Sequence, residues 1–213
     1  MPTKSSTNRR LLQTAVDHFG MKGVEGVRTR DIAREADTVM SSITYHYGGK
    51  DGLHLAAAHY VADRLVEFLG PVLDRAARTE ARGREAARDE ICDIAGVILN
   101  FFLSPESASL SRFIVREQMA PGEAFRILQE RVFGRMGQHL RTLVAEAGHP
   151  GWDDDRINVT TVTIVGQLLV FRVAHASVMS LTGWDAVTPQ RAATIRRVTQ
   201  TNIRALLAAE DPS

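Results

Sequence analysis

Residues Arg28 to Leu53 read R-T-R-D-I-A-R-E-A-D-T-V-M-S-S-I-T-Y-H-Y-G-G-K-D-G-L, and the spacing predicts two short helices joined by a tight turn. The first helix is expected over roughly Arg30 to Ala36. Thr29 stands where an N-cap belongs, its hydroxyl placed to accept from the N–H groups that open the helix. Asp31 in the first turn suits the positive end of the helix dipole. Ile32, Ala33 and Ala36 make one small apolar face. Asp37 follows at the break, a residue type that tolerates the left-handed backbone of a sharp turn. The second helix is expected over roughly Met40 to Tyr47, with Val39, Ile43 and Tyr47 as apolar anchors at four-residue spacing. Its other faces carry Met40, Ser41, Ser42, Thr44, Tyr45 and His46. Such short hydrogen-bonding or aromatic side chains reach base edges and phosphates when a helix lies in a major groove. Gly48-Gly49 ends this helix, and Lys50 opens the next.

Two short helices with a turn occur in many all-helical proteins, so spacing alone leaves DNA binding and ordinary helix packing both open. The whole string says more. Thr29, Ile32-Ala33, Ala36, Tyr45-His46-Tyr47, Gly48-Gly49-Lys50 and Leu53 resemble the helix-turn-helix of the TetR family of transcriptional regulators. The chain departs from that pattern at two places. Asp37 replaces the turn glycine, and Val39 stands where a Ser or Asn usually caps the recognition helix. A valine cannot cap: either Thr38 caps one residue early or the first turn stays frayed until DNA arrives, which leaves the register of base contacts open by one residue. Further on, R-E-Q-M-A-P-G-E-A-F at 116–125 and T-Y-H-Y-G-G-K at 44–50 look like the CecR-type branch of that family, whose members respond to antibiotics and related compounds.

Composition bounds the rest. The 213 residues are 44% hydrophobic and 24% charged, a globular balance with enough chain for a large core. The formal net charge is only +1. Residues 1–50, however, hold eight Lys and Arg against five Asp and Glu, leaving that segment at +3 and the remainder near −2. The asymmetry fits a phosphate-facing head on a near-neutral body. Cys92 is the only cysteine, which excludes an internal disulfide and a multi-cysteine metal site. It lies in an apolar helical pattern and reads as a buried structural thiol. The start M-P-T-K-S-S-T-N-R-R has no apolar core of a signal peptide. Residues 159–182 are the longest apolar stretch, interrupted by Gln167, Arg172 and His175. An arginine at bilayer mid-depth costs about 2.5–3.5 kcal/mol, so the stretch reads as a buried helix of a cytoplasmic protein with no membrane partner.

The remaining periodicities are all helical. Leu11, Leu12, Ala15, Val16 and Phe19 predict a helix over roughly Thr7 to Gly20, with Lys4, Arg9 and Arg10 placed to follow a DNA backbone or simply to be solvated. A helix from Lys50 is expected to stop or kink at Gly70-Pro71. Further helices are expected through Ile91 to Phe102, through Leu110 to Met119, over Gly122 to Ala147, over Arg156 to Leu181 and from Pro189 to Ala208. Asp153 to Asp155 suit the start of the one, and Thr188-Pro189 that of the other. His54 and His59 are five apart, which is not the spacing of a helical metal pair, and read as ordinary.

The fold class expected is therefore all-α: a three-helix helix-turn-helix domain over 1–53 and a larger helical ligand-binding and dimerisation domain over 54–213. The near-final helix is apolar almost all round, so it needs a partner beyond its own core. Gly166, Val170, Ala174 and Ser177 form a close-approach face on it. That face is expected to meet one face of the last helix, including Ile195 and Asn202, in a second subunit. The TetR resemblance implies the same homodimer, closed by a four-helix bundle, with two recognition helices about one DNA turn apart on a palindromic operator. Thr29, Thr38, Met40, Ser41, Ser42, Thr44, Tyr45, His46 and Lys50 are the expected DNA-binding residues. Lys50, Thr29 and Tyr45 are assigned to phosphate, and Met40, Ser41, Ser42 and Thr44 to bases; His46 serves either or braces the helix.

For the body, Phe102, Phe113, Gln118, Phe125, Phe171 and His175 read either as an apolar pocket with polar hooks for a small hydrophobic effector or as ordinary aromatic core. The family resemblance favours the pocket. No cofactor, metal or catalytic residue is expected. The reading is a ligand-responsive repressor rather than an enzyme. The alternatives are an all-helical enzyme, for which Glu117 near His139 or His175 is the best available pair, and a protein-binding adaptor without DNA.

Overall fold

A computed structural model of the chain describes residues 4–76 and 83–209. Among these, helices α1 (Lys4–Lys22), α2 (Thr29–Glu35), α3 (Met40–Tyr47), α4 (Lys50–Ala76), α5 (Arg84–Leu103), α6 (Ser107–Met119) and α7 (Glu123–Leu128) are followed by a π-helical turn at Gln129–Phe133. Helices α8 (Gly134–Ala147), α9 (Asp154–Val173), α10 (His175–Thr182) and α11 (Pro189–Ala208) complete the chain. No strand occurs among the described residues, so the all-α expectation holds.

Two compact units divide the molecule. The first spans Met1–Glu67 and Glu106–Phe133. The boundary expected after residue 53 thus falls inside α4, and the unit carries α6 and α7 along with the first helices. Its core gathers Phe19 from α1, Ile32 from α2, Ile43 from α3, Leu53 from α4 and Phe113 from α6, all essentially without solvent exposure. Each such burial is worth about 1.5–3 kcal/mol, enough to hold short helices that would not persist alone. Helix α6 packs along α1. At its ends Arg116 donates to the carbonyls of Gly20 and Met21 at 3.2 and 3.1 Å, and Ser109 donates to Asp17. In the π-turn, Arg131 pairs with Asp63 of α4 at 2.7 Å.

The second unit spans Phe68–Pro105 and Gly134–Ser213. Helix α5 is its centre, packed by α8, α9 and α11 around Ile91, Ile94, Leu99, Leu140, Ile164, Leu168 and Ile203. Arg88 on α5 donates to the carbonyls of Ala147 and Leu207 at 3.2 and 3.0 Å. It thereby satisfies the open C-terminal ends of α8 and α11 with a charge of the sign their dipoles prefer. Thr188 caps α11 as expected, accepting from the Arg191 N–H at 3.3 Å, and Asp153, expected only to suit the dipole of α9, also caps it, accepting from the Arg156 N–H at 2.7 Å. Cys92 is buried in this core, and burial pushes its thiol above the usual range.

Three helix expectations need correction. Helix α4, expected to stop or kink at Gly70-Pro71, does not stop there but runs on to Ala76; an internal proline removes one ladder bond, and the neighbouring turns carry the helix past it. The single helix expected over Gly122 to Ala147 is interrupted by the π-turn, which inserts an extra residue without changing the hydrophobic character that sequence periodicity reads. The helix expected over Arg156 to Leu181 breaks at Ala174, where φ is −102° and ψ 30°. Within the single chain, α9 buries one stripe only, Ile157, Thr160, Thr161, Ile164 and Leu168, rather than several sides. By length and composition α9 is also apolar enough to cross a membrane, with a mean hydropathy of 1.2.

Candidate nucleic-acid interface

Helix α3 is built to be held from below and open above. Ile43 is its one buried side chain, at 1% exposure. Met40, Ser41, Thr44, Tyr45 and His46 are exposed, and Ser42 is half-buried. Tyr45, at 85% exposure, stands edge-on to the His46 ring with centroids 4.9 Å apart. Val39 is not the anchor its spacing suggested: it is 63% exposed. It occupies the N-cap with extended backbone at φ −97° and ψ 143°, so it lies off the 3.6-residue periodicity that places Ile43 inward. No side chain caps α3, neither Val39 nor Thr38. The first N–H groups of the helix are therefore left for solvent or an anion.

The turn before α3 has a defined geometry. Helix α2 starts at Thr29 itself, with Arg28 as an N-cap that makes no side-chain bond. The cap assigned to Thr29 is therefore displaced by one residue, because the Asp31 N–H already closes the first turn on the Arg28 carbonyl at 3.0 Å. At the other end Thr38 N–H donates to Ala33 O at 2.9 Å and Asp37 N–H to Arg34 O at 3.2 Å, the paired bonds of a Schellman C-terminus. Asp37 occupies the left-handed position at φ 52°, the only non-glycine residue with positive φ among those described. For an L-residue that conformation costs about 1–2 kcal/mol, less for Asp than for most.

Helix α1 reaches this turn. Arg10 donates from Nε to the Ala36 carbonyl at 2.7 Å, and from Nη2 to the Asp37 carbonyl at 3.3 Å and to Asp37 Oδ2 at 3.1 Å. Arg10, expected to follow a DNA backbone or to be solvated, is thus tied to the turn within its own chain. Two residues earlier, Asn8 accepts from the Tyr47 hydroxyl at the far end of α3. Burial holds that hydroxyl above the usual tyrosine range.

The step from α3 to α4 is equally close. Gly48 takes the left-handed cap at φ 73°. A Cβ on Gly52, in the first turn of α4, would lie 1.7 Å from the Tyr47 carbonyl oxygen, so only glycine fits. Beside this junction Val27, Arg28, Thr29, Arg30, Met40 and Lys50 line an open cleft. It brings together three of the expected DNA-binding residues, Thr29, Met40 and Lys50, with two further arginines that sequence reading had not singled out. Lys50 lies 4.0 Å from the fully exposed Glu25.

Behind this surface His54 on α4 meets Glu117 on α6 at 2.9 Å, both largely buried, with the His54 ring edge-on to Phe19 at 4.9 Å. His54, read as an ordinary residue and not half of a metal pair, is a structural partner of Glu117. Glu117 pairs here, while His139 pairs with Glu90 at 3.1 Å in the second unit; both are helix-to-helix ties.

The residues expected to take an effector are divided between the two units. Phe113 is wholly buried in the first unit, 5.4 Å from the His54 ring, and its place is that of a core residue. Gln118 is exposed and Phe125 half-buried in the same unit. Phe102 and Phe171 are half-buried and His175 exposed in the second. Of the expected dimer residues, Gly166, Val170, Ser177 and Asn202 are exposed and Ala174 is half-buried. Ile195 is 4% exposed, held inward with Thr199, Ile203 and Leu207 by the four-residue spacing of α11. Its own chain already covers it. In this part of the chain the exposed apolar side chains are Val170 and, beside it, Val159, Val162 and Val173 on α9, Leu181 on α10 and Val198 on α11.

Comparison with known proteins agrees with this arrangement. Residues 11–57 match the bacterial regulatory proteins of the tetR family. Residues 87–210 match the C-terminal domain of the HTH-type transcriptional dual regulator CecR. The chain is 29% identical over 202 residues to the CecR of Shigella flexneri, covering 93% of this chain and 90% of that protein. Among solved structures, AibR in complex with isovaleryl coenzyme A and operator DNA has a similar fold, with a TM-score of 0.68 at 16% identity over 92% of this chain and 97% of that one. A TetR-like transcriptional regulator from Rhodococcus sp. RHA1 gives 0.67 at 15% identity over 99% and 100%. These proteins are transcriptional regulators and not enzymes. With a helix-turn-helix head at its N-terminus and a CecR-type helical body behind it, the chain belongs to the TetR family of transcriptional regulators.

Proposed function

We propose that the chain is a ligand-responsive repressor: a cytoplasmic homodimer that holds a palindromic operator and releases it when a small hydrophobic molecule binds the body. Residues 1–53 read DNA in this account, and 54–213 bind the effector and the second subunit. The observation that carries it is α3 itself, a helix with one buried anchor and an open face of Met40, Ser41, Thr44, Tyr45 and His46. Thr29, Thr38, Tyr45 and Lys50 hold phosphates, with the α4 N-terminus contributing its free N–H groups. Met40, Ser41, Ser42 and Thr44 meet base edges, and His46 stands at the margin between the two roles.

The open valines of α9 support a two-fold partner, since an apolar surface of this kind on one chain favours a protein contact. Gly166, Val170, Ala174, Ser177 and Asn202 fall on or beside that surface. For the effector, the second unit offers Phe102 and Phe171 as apolar walls with His175 as a polar hook, and the first unit, taken by itself, offers Phe125 and Gln118. AibR, with its acyl coenzyme A and its operator, is a precedent for one protein of this fold taking both. The switch is a population shift: a coupling of about 1–3 kcal/mol changes DNA affinity roughly 5–150-fold.

The test is a gel-shift of the full-length protein on the region upstream of its own gene, against an unrelated duplex, repeated with a panel of hydrophobic drugs. Selective retardation of the upstream region, relieved by one compound, supports the proposal. Equal binding of both duplexes, or none, overturns it.

A further inference from the structure

We propose that Asn8 and Arg10 are positioning residues of the DNA-reading head, bracing the recognition helix from α1 at both its ends; this rests on the DNA-binding reading above. Arg10 secures the entrance. Its guanidinium takes the carbonyl of Ala36 at 2.7 Å, the carbonyl of Asp37 at 3.3 Å and the carboxylate of Asp37 at 3.1 Å. Asn8 secures the exit by accepting from Tyr47. Between those two points lies the whole of α3, whose only buried side chain is Ile43. One anchor fixes the depth of a helix but not its tilt or its rotation. One tie just ahead of the helix and one at its last residue remove those freedoms.

The chemistry at the turn explains why an arginine is needed. Asp37 sits at φ 52°, where glycine would rest without strain. Its side chain makes the position usable only in company: the carboxylate recruits Arg10, and the fork of Arg10 then covers two carbonyls that the end of α2 leaves open. Arg10 and Asp37 thus act as one unit in place of a glycine. A cation in the first helix of such a head would otherwise be assigned to phosphate, and the two roles separate by experiment.

The full-length Arg10→Ala, Arg10→Lys, Asp37→Gly and Arg10→Ala/Asp37→Gly proteins are titrated with the upstream duplex and with an unrelated duplex over a range of salt, at a temperature where circular dichroism shows each folded. Asn8→Ala is carried alongside, and Arg10→Gln replaces Arg10→Ala if that protein does not fold. Arg10→Ala is expected to lose roughly five- to tenfold in affinity for the upstream duplex, the size of one exposed charged tie with its carbonyl bonds. The salt slope and the affinity for the unrelated duplex stay as in the wild type. Arg10→Lys does not restore the loss, because an ammonium cannot fork across three acceptors. In the Asp37→Gly background the loss on removing Arg10 shrinks to about twofold, as coupled residues require. Asn8→Ala lowers upstream affinity in the same selective way. A salt slope reduced by about one in Arg10→Ala, with both duplexes weakened alike, would make Arg10 a phosphate contact and overturn the proposal. So would an Arg10→Ala loss of equal size in both backgrounds. A wild-type protein that fails to prefer the upstream duplex is a different failure: it removes the DNA reading first, and the brace with it.

Discussion

Helices α3 and α9 each bury one stripe and leave the rest of their surface open, and the difference lies in what is left open. Helix α3 keeps Ile43 inside and turns hydroxyls and aromatic rings outward. Helix α9 keeps Ile157, Ile164 and Leu168 inside and turns Val159, Val162, Val170 and Val173 outward. Burial within one chain shows only which side the core claimed. The chemistry of the unclaimed side points to the partner: polar and rotatable for a nucleic acid, branched and apolar for protein.

The sharpest way to break the comparison is a charge on the open side of α9. Val162 is 70% exposed, so Val162→Asp is expected to leave the subunit folded. Across a two-fold axis it sets like charges together at a cost of several kcal/mol. Sedimentation should show the dimer dissociating by at least a hundredfold in concentration, with operator binding lost; a wild-type monomer would end the argument for α9. Next comes the anchor of α3. Ile43→Ala should cost about 2–4 kcal/mol in chemical denaturation, whereas Val39→Ala, on a side chain that touches little, should stay within about 0.5 kcal/mol. Equal costs would mean α3 is held differently.

A smaller effect concerns reading. Thr44→Ala should relax preference at one base position by about 1–3 kcal/mol, seen by selection from random duplexes, while unrelated DNA binds as before. The smallest is Lys50→Ala. It should weaken all sequences alike and lower the salt slope by about 0.9, the value for one phosphate. An unchanged slope would remove Lys50 from the interface.

Much of the head was legible in the sequence because it is local. Ile32, Ile43, Leu53 and the Gly48-Gly49 ending are set by spacing within a few residues, and the left-handed turn at Asp37 follows from residue type. What stayed hidden joins distant positions. Arg10 and Asp37 are 27 residues apart, and His54 and Glu117 are 63 apart; no periodicity links such pairs. Val39 misled because an N-cap residue sits at helical spacing in the sequence but in extended backbone in space. The π-turn left no sign, since Gln129–Phe133 has the composition of any amphipathic helix. Ile195 was assigned outward because the apolar side of α11 is broad, and only packing decides which part of it faces home.

Gly52 has a mechanical consequence. With no room for even a methyl group between its Cα and the Tyr47 carbonyl, the first turn of α4 and the last turn of α3 are seated without slack. A spring or a flexible hinge at this joint would absorb small motions of the long helix. Here the contact is direct, so any shift of the first turn of α4 toward α3 bears on the Tyr47 carbonyl itself.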